Sequence, residues 1–187
     1  GLYQKILGAK ILENKKNEVL YLSKPQTQEQ NVLVRSYIEE KDYNRETKKM
    51  TFGYLGSINS IIDMDGICEV IKAVASHGYE VDVEIVGDGE SANDFVRRLQ
   101  VAGGQVNFHG KIFAEDKKAE ILCKCDFVFN MMVNEVAVGL TTKSIDYFSL
   151  GIPVINTIKG DTWDLVNQRQ VGVNYAGSVD EIFDFYL

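Results

Sequence analysis

Cysteine, histidine and proline are scarce in this sequence, and it contains no long apolar run. Its 187 residues include 3 cysteines, 2 histidines and 2 prolines. Cys68, Cys123 and Cys125 leave one thiol over in any disulfide pairing, and Cys-Lys-Cys lacks the second half of a zinc site. No stretch approaches the ~18 apolar residues of a membrane-spanning helix, and no signal-like segment stands at the N-terminus. We therefore predict reduced thiols, no metal site and a cytoplasmic location.

Positive charge is also in short supply. Lys and Arg total 20 against 27 Asp and Glu, which gives a net charge of −7 at pH 7. This balance argues against a nucleic-acid partner, because such proteins bind phosphates through clustered basic residues. It is compatible with one small anionic ligand, since backbone amides at a helix N-terminus bind phosphate without net charge. The apolar fraction of 45% indicates a globular protein with a sizeable core.

From Thr51 onward, short β-branched or aromatic runs alternate with helical patterns. This alternation predicts right-handed crossovers and a doubly wound parallel sheet, that is, a Rossmann-like α/β domain over residues 51–187. The predicted strands cover residues 51–55, 81–87, 106–110, 126–132, 153–157 and 171–175. The predicted helices cover residues 65–77, 90–102, 115–123, 141–150, 161–168 and a segment from residue 178.

Residues 1–50 follow a different pattern. Apolar residues recur at helical spacing over residues 2–16, and short apolar runs at 19–22 and 32–34 predict two small strands. Residues 35–50 are charged and poor in aliphatic side chains, which indicates a linker and a surface turn. The boundary of the α/β domain is therefore predicted near residue 50.

A ligand is expected at the loops that follow the strands, because open parallel sheets bind ligands beyond the carboxyl ends of their strands. Residues 139–142 precede a predicted helix whose free amides and dipole suit a diphosphate. Asp146, one turn into that helix, could accept hydrogen bonds from two ribose hydroxyls. Taken alone, the pattern favours a capped helix with a surface pair between Lys143 and Asp146 over such a site.

Two motifs in this arrangement change that balance. They are Val86-Gly-Asp-Gly and Asp146-Tyr-Phe-Ser-Leu-Gly-Ile-Pro-Val-Ile. Together with the order of elements over residues 50–175, they resemble the donor-binding domain of the GT-B glycosyltransferases of the retaining family 4, or glycosyl transferases group 1. The resemblance implies transfer of a sugar from a UDP- or GDP-linked donor without a metal or another cofactor. Residues 1–50 would then be the tail of the acceptor-binding domain.

The same resemblance implies partners and a limit on activity. The chain would bind the nucleotide sugar, and a missing N-terminal domain would hold the acceptor. In polysaccharide synthesis, which the family suggests, that acceptor can lie at the inner face of the membrane. We expect the donor domain to be truncated after Leu187 and inactive alone, because the active site of such enzymes lies between two domains.

Donor-binding roles follow from the resemblance for residues of four loops. Asp146 stands where the family has a Glu that binds the ribose hydroxyls, and Asp keeps the charge on a shorter side chain. The other donor-binding positions, beside the diphosphate, the base and the phosphates respectively, are Gly139, Leu140, Thr141 and Thr142; Gly110, Lys111 and Ile112; and Gly56 and Ser57.

Two departures from the family pattern concern catalysis. The family often carries an Arg and a Lys after the first strand, but no cation occurs from Leu55 to Glu69. Such cations stabilise the departing nucleoside diphosphate, and Lys143 is the candidate to replace them. The family also carries an acidic residue eight positions before the ribose-binding one. This chain has Val138 there, and the nearby Glu135 is the candidate for that role.

Other functions fit parts of the pattern. A GT-B nucleotide-sugar epimerase would need acid/base carboxylates and histidines, and His109 after the third strand is the one candidate histidine. A receiver-like or flavodoxin-like module would need paired acids or a hydroxyl-rich phosphate loop where the first strand ends in Leu55-Gly-Ser. A non-catalytic nucleotide-sugar-binding domain is the alternative that the absent Arg and Lys favour most.

Overall fold

The computed structural model describes residues 24, 27–30, 32, 47–133 and 138–187. Several predictions lie outside these residues. They are the helix over residues 2–16, the strand over 19–22, most of the linker over 35–50, and the candidate Glu135. They stay predictions, as does the division of the chain at residue 50.

From residue 49 onward, strands and helices alternate as the sequence predicts. The strands are β1 (Lys49–Ser57), β2 (Glu80–Asp88), β3 (Gln105–Phe108), β4 (Phe127–Asn130), β5 (Val154–Asn156) and β6 (Gly172–Asn174). The helices are α1 (Met64–Ser76), α2 (Ala92–Val101), α3 (Glu115–Leu122), α4 (Thr142–Ser149), α5 (Asp161–Arg169) and α6 (Asp180–Tyr186). The strands form one parallel sheet in the order β3-β2-β1-β4-β5-β6, which confirms the predicted doubly wound α/β fold.

The central strands are apolar on both sides because helices cover both faces of the sheet. Side chains alternate across the sheet, so Phe129 packs on one face, where its ring stacks on Phe52 at a centroid distance of 5.3 Å. Val128 points to the other face and joins a second apolar cluster with Tyr147 and Val154. The alternation of faces along β4 thus divides the core into two layers around the sheet.

Element boundaries differ from the predictions by a few residues. Strand β1 begins at Lys49 and runs to Ser57, whereas the sequence indicated residues 51–55. The prediction of a strand from Val32 is wrong at that residue, because Val32 and residues 28–30 are helical. Thr27 and Gln30 explain this turn: the Gln30 amide donates to Thr27 Oγ1 and the Thr27 amide donates to Gln30 Oε1, which is a capping box.

The remaining expectations concern thiols, membrane-spanning helices and metal ligands. None of Cys68, Cys123 and Cys125 forms a disulfide in the part of the chain that the structure describes, and the last two are buried. Within the described residues, no helix is long and apolar enough to cross a bilayer. The same part of the chain contains no cluster of His, Cys, Asp or Glu able to hold a metal ion.

The sheet order positions the ligand-binding edge. Strand β1 pairs with β2 on one side and with β4 on the other, so the crossovers leave β1 and β4 in opposite directions. Strands β1 and β2 stay paired to their ends, where Gly56 lies opposite Gly87. A Cβ on Gly87, whose φ is +152°, would lie 1.9 Å from the Gly56 carbonyl oxygen. Glycine is therefore required for this close approach.

Candidate functional site

An open cleft of about 740 Å³ lies at the carboxyl edge of the sheet, beside the point where β1 and β4 meet. Its walls come from the ends of β1 and β2, the loop after β3, the segment after β4 and the first turns of α4. Ligands of doubly wound sheets bind at this place, because the loops there diverge and leave a crevice. The cleft is the candidate functional site.

Most of the predicted site residues meet in this cleft. Those that line it are Gly56, Ser57, Lys111, Ile112, Leu140, Thr141, Thr142, Lys143 and Asp146. Gly110 and Gly139 are not lining residues of the cleft, and the carbonyl oxygen of each accepts a hydrogen bond. Gly110 accepts a hydrogen bond from the Gly87 amide at 2.8 Å, and Gly139 accepts one from the Thr162 hydroxyl at 2.7 Å. Glu135 falls among residues that the structure does not describe.

The N-terminus of α4 borders the cleft, which Thr142 and Lys143 of its first turn line. Thr141 is the N-cap, and its Oγ1 accepts a hydrogen bond from the Ser144 amide at 3.1 Å. This side chain is buried, whereas Thr142 is exposed. A threonine cap satisfies one of the otherwise free donors and leaves the preceding amides available to an anion. The helix begins where the sequence predicted it.

Lys143 lines the cleft and forms no ion pair with any residue that the structure describes. Its Nζ lies 4.8 Å from the centroid of the Tyr54 ring. Burial lowers the pKa of Lys143 to about 8. The ring face supplies partial negative charge but no full charge, so an anion that enters the cleft would be its strongest partner.

The other cleft lysines are already paired. Lys111 Nζ lies 3.5 Å from Asp88 Oδ2, and Lys118 forms an ion pair with Glu115 one turn before it. Both lysines still line the cleft, where they add positive potential. Lys143 differs from them because burial makes its charge costly until an anion arrives.

Asp146 is held from outside its helix rather than by Lys143. Lys24 Nζ donates to Asp146 Oδ1 at 2.7 Å and also pairs with Glu115. Burial lowers the pKa of Lys24, but hydrogen bonds to Asp146 and Glu115 outweigh it, so the pKa is raised. The pKa of Glu115 is lowered by hydrogen bonds from Lys118 and Lys24. The surface pair between Lys143 and Asp146 that the spacing allowed is therefore not formed.

A match to a protein family accompanies this geometry. A sequence profile described as glycosyl transferases group 1 matches residues 49–184, which is more than half of the chain. The chain belongs to the glycosyl transferases group 1. The family that its motifs resemble is thus confirmed. No curated protein sequence matches the chain significantly.

Solved structures of glycosyltransferases share the fold. The catalytic domain of cholesterol-alpha-glucosyltransferase from Helicobacter pylori is 14% identical with a TM-score of 0.55, over 73% of this chain and 85% of that one. HepE from Anabaena, solved in complex with UDP, is 15% identical with a TM-score of 0.59, over 90% of this chain and 46% of that one. The C-terminal domain of LpcC from Francisella tularensis is 14% identical with a TM-score of 0.52, over 77% and 78%.

These likenesses show the fold of a GT-B glycosyltransferase domain and no more, because the identities are low. This chain spans less than half of the HepE chain. Membership of the glycosyl transferases group 1 supports sugar transfer as the general activity.

Residues without a local signal complete the site of this group 1 chain. Tyr54 lies inside β1, where an aromatic residue reads as core, yet its ring faces Lys143. Phe113 is 85% exposed and lines the cleft beside Ile112. An exposed Phe after a strand marks a loop but carries no pattern, so neither residue could be assigned from sequence alone.

One departure from the family pattern and the candidate histidine of the epimerase alternative can both be located. Val138 lines the cleft, so an apolar side chain stands in the wall where the resemblance expects a carboxylate. Among the described residues that line the cleft there is no histidine. His109 instead lies beside the buried Glu84, with its Nε2 2.5 Å from Glu84 Oε2. The epimerase alternative loses its candidate acid/base histidine by this placement.

Proposed function

We propose that the cleft binds a nucleoside diphosphate sugar, with uridine or guanosine as the nucleoside, as the donor of a retaining, metal-independent glycosyltransferase. One observation carries the proposal: the N-terminus of α4, Lys143 and the carboxylate of Asp146 border a single cleft at the carboxyl edge of the sheet. An acceptor-binding domain opposite this cleft, and an acceptor at the inner face of a membrane, belong to the same proposal.

We expect the diphosphate to bind at the start of α4. Amides of the first turn and the positive end of the helix dipole attract phosphate oxygens there. Lys143, in the same turn, gains a counter-ion and recovers the free energy that burial of its charge costs. When the bond to the sugar breaks, negative charge accumulates on the diphosphate, and the same groups stabilise it.

We expect the nucleoside to bind on the side of the cleft that is nearer to α3. Asp146 lies one turn into α4 and lines the cleft, so its carboxylate can accept hydrogen bonds from the ribose hydroxyls. Lys24 donates to Oδ1 of that carboxylate, and among the described residues none donates to Oδ2, so we expect the second oxygen to accept from the ligand. The base would lie against the loop of Lys111, Ile112 and the exposed Phe113. The solved complexes of HepE with UDP, and with UDP and glucose, support a nucleotide sugar as the ligand.

A second candidate function is binding of the nucleotide sugar without transfer. Val138 favours it, because an apolar side chain in the cleft wall cannot serve as an acid, a base or a nucleophile. Glu135 is the residue that would restore catalysis in the first proposal. Assay of the chain together with an acceptor-binding domain separates the two: transfer that depends on Glu135 supports the enzyme, and binding without transfer supports the second function.

Calorimetric titration with UDP, GDP and their sugar conjugates tests the binding site. We expect saturable binding of one nucleoside diphosphate and an affinity at least about tenfold weaker, ~1.4 kcal/mol, in Asp146→Ala. A matched control is Asp164→Ala, which removes an exposed carboxylate of α5 outside the cleft. Binding that survives unchanged in Asp146→Ala would remove the ribose role from that residue.

Lys24 provides a second control for this experiment. Asp146→Ala breaks the ion pair with Lys24 as well as the proposed contact with ribose. Lys24→Met breaks the ion pair and keeps the carboxylate. We expect Lys24→Met to retain affinity for the nucleoside diphosphate, so that a loss seen in Asp146→Ala alone is attributed to the carboxylate.

A further inference from the structure

Three asparagines end adjacent strands and join their side chains in a ladder. Asn130 ends β4, Asn156 ends β5 and Asn174 ends β6. Asn130 Nδ2 donates to Asn156 Oδ1 at 2.8 Å, and Asn156 Nδ2 donates to Asn174 Oδ1 at 2.8 Å. The side chains of Asn130 and Asn156 are fully buried. Buried amides of this kind destabilise a core unless every polar atom is paired, and this ladder pairs them.

The backbone of Ile158 determines the orientation of the central amide. The Ile158 amide donates to Asn156 Oδ1 at 3.2 Å, and Asn156 Nδ2 donates to the Ile158 carbonyl at 3.0 Å. If the Asn156 amide were inverted, its Nδ2 would face the Ile158 amide, donor against donor. Its Oδ1 would face the Ile158 carbonyl, acceptor against acceptor. Asn156 Oδ1 therefore faces Asn130, and Asn130 must present its Nδ2 in that direction. The Oδ1 of Asn130 is left to accept a hydrogen bond from the opposite side.

That bond comes from the cap of α4. Thr141 Oγ1 donates to Asn130 Oδ1 at 3.1 Å, while the same oxygen accepts from the Ser144 amide. Ser144 Oγ also lies 2.5 Å from Thr141 Oγ1. If the Thr141 hydrogen pointed to Ser144, the buried Asn130 Oδ1 would lose this donor, so the Ser144 hydroxyl is the donor of that pair. The Thr141 hydroxyl therefore has no hydrogen left for a phosphate. The ladder thus reaches from β6 to the first turn of the helix that borders the cleft.

We propose that Asn130 is a positioning residue that holds the N-terminus of α4 in its anion-binding geometry through Thr141. This inference rests on the proposed function of the cleft. Thr141 serves as the cap without touching the ligand, and the exposed hydroxyl of Thr142 is the side-chain donor to the diphosphate. Asn156 and Asn174 contribute by fixing the amide of Asn130.

Paired substitutions at Thr141 test the inference. Thr141→Ser keeps the hydroxyl, and we expect its affinity for UDP or GDP to stay within about twofold of the unmodified chain. Thr141→Val keeps the shape and loses the hydroxyl, and we expect affinity about tenfold weaker. Thr142→Ala should also weaken binding, but without lowering the free energy of unfolding in urea. The recovery of affinity by serine is a readout that a loss of packing would not produce.

A double-mutant cycle places Asn130 in the same unit. Asn130→Leu should weaken binding about as much as Thr141→Val, and the double variant no more than either, because one contact is removed twice. Asn174 Nδ2 also donates to Oδ1 of the exposed Asn167 at 2.8 Å. Asn167→Leu, which removes this contact at the far end from Asn130, is the control that should bind normally. If Asn130→Leu does not fold, the Thr141 pair decides alone.

Two outcomes overturn the inference in different ways. Normal affinity in folded Thr141→Val and Asn130→Leu, with binding intact in the unmodified chain, would refute the positioning role and leave the proposed function standing. An unmodified chain that binds neither UDP nor GDP would refute the proposed function, and the inference with it.

Discussion

At the scale of single residues, Lys143 predicts how binding depends on pH. Its pKa in the free chain is about 8, lowered by burial. A bound diphosphate favours the charged form and raises that pKa, so binding takes up a proton when the pH is above 8. For a nucleotide sugar, whose diphosphate has no group that titrates between pH 7 and pH 9, affinity should therefore fall about tenfold over that range. Calorimetry in buffers of different ionisation enthalpy measures both the affinity and the number of protons taken up on binding.

Two variants isolate that lysine. Lys143→Arg stays charged across this range, so its affinity should not fall between pH 7 and pH 9. Lys117→Met removes an exposed lysine of α3 and should keep the dependence of the unmodified chain. An unchanged pH profile in Lys143→Arg would assign the titration to another group, and Lys143 would lose its proposed contact with the diphosphate.

At the scale of elements, the pairing of β1 and β2 predicts a large difference between two glycine substitutions. Gly87 and Gly78 both have positive φ, but only at Gly87 would a Cβ meet backbone, 1.9 Å from the Gly56 carbonyl oxygen. We expect Gly87→Ala to destabilise the fold by about 3 kcal/mol and Gly78→Ala by about 1–2 kcal/mol. Urea unfolding measures both, and equal losses would show that conformation, not contact, dominates.

Elements also show the reach of local sequence patterns. The spacing of apolar residues predicted each strand and helix from residue 49 onward. Burial of one or two faces of an element produces a regular pattern of apolar residues that are close together in the chain. The capping box of Thr27 and Gln30 was missed, since the apolar run beside it suggested a strand. Local chemistry at a helix start outweighed the weak β propensity of Val32.

At the scale of the whole molecule, we expect binding without turnover. The cleft is open to solvent, and the described residues place no second wall over it. Water would reach the reacting atoms and no acceptor is held, so neither orientation nor exclusion of solvent assists the reaction. Chromatography of a nucleotide sugar incubated with the chain should show no consumption above the buffer control. Sustained, saturable consumption would contradict this expectation.

The sequence by itself determined the fold class, the family and the loops of the site. Alternating patterns specify a doubly wound sheet, and the topology of such a sheet places Gly56, Lys111 and Thr142 at one edge. The motif around Asp146 indicated the family, and the profile match confirms that family. These features depend on residues close together in the chain, and for that reason they can be read without a structure.

Only the tertiary structure decided which partners the site residues have. Lys24 reaches Asp146 across 122 positions, and Tyr54 lies under Lys143 because β1 is adjacent to the start of α4. In the sequence, Asn130 is an ordinary residue at the end of a strand. Its hydrogen bond to Asn156 is known only once the structure shows β5 beside β4. Such contacts depend on the order of strands in the sheet and on side-chain rotamers, and no local spacing encodes either. The surroundings of the Lys143 charge and the orientation of the Asp146 carboxylate follow from these contacts.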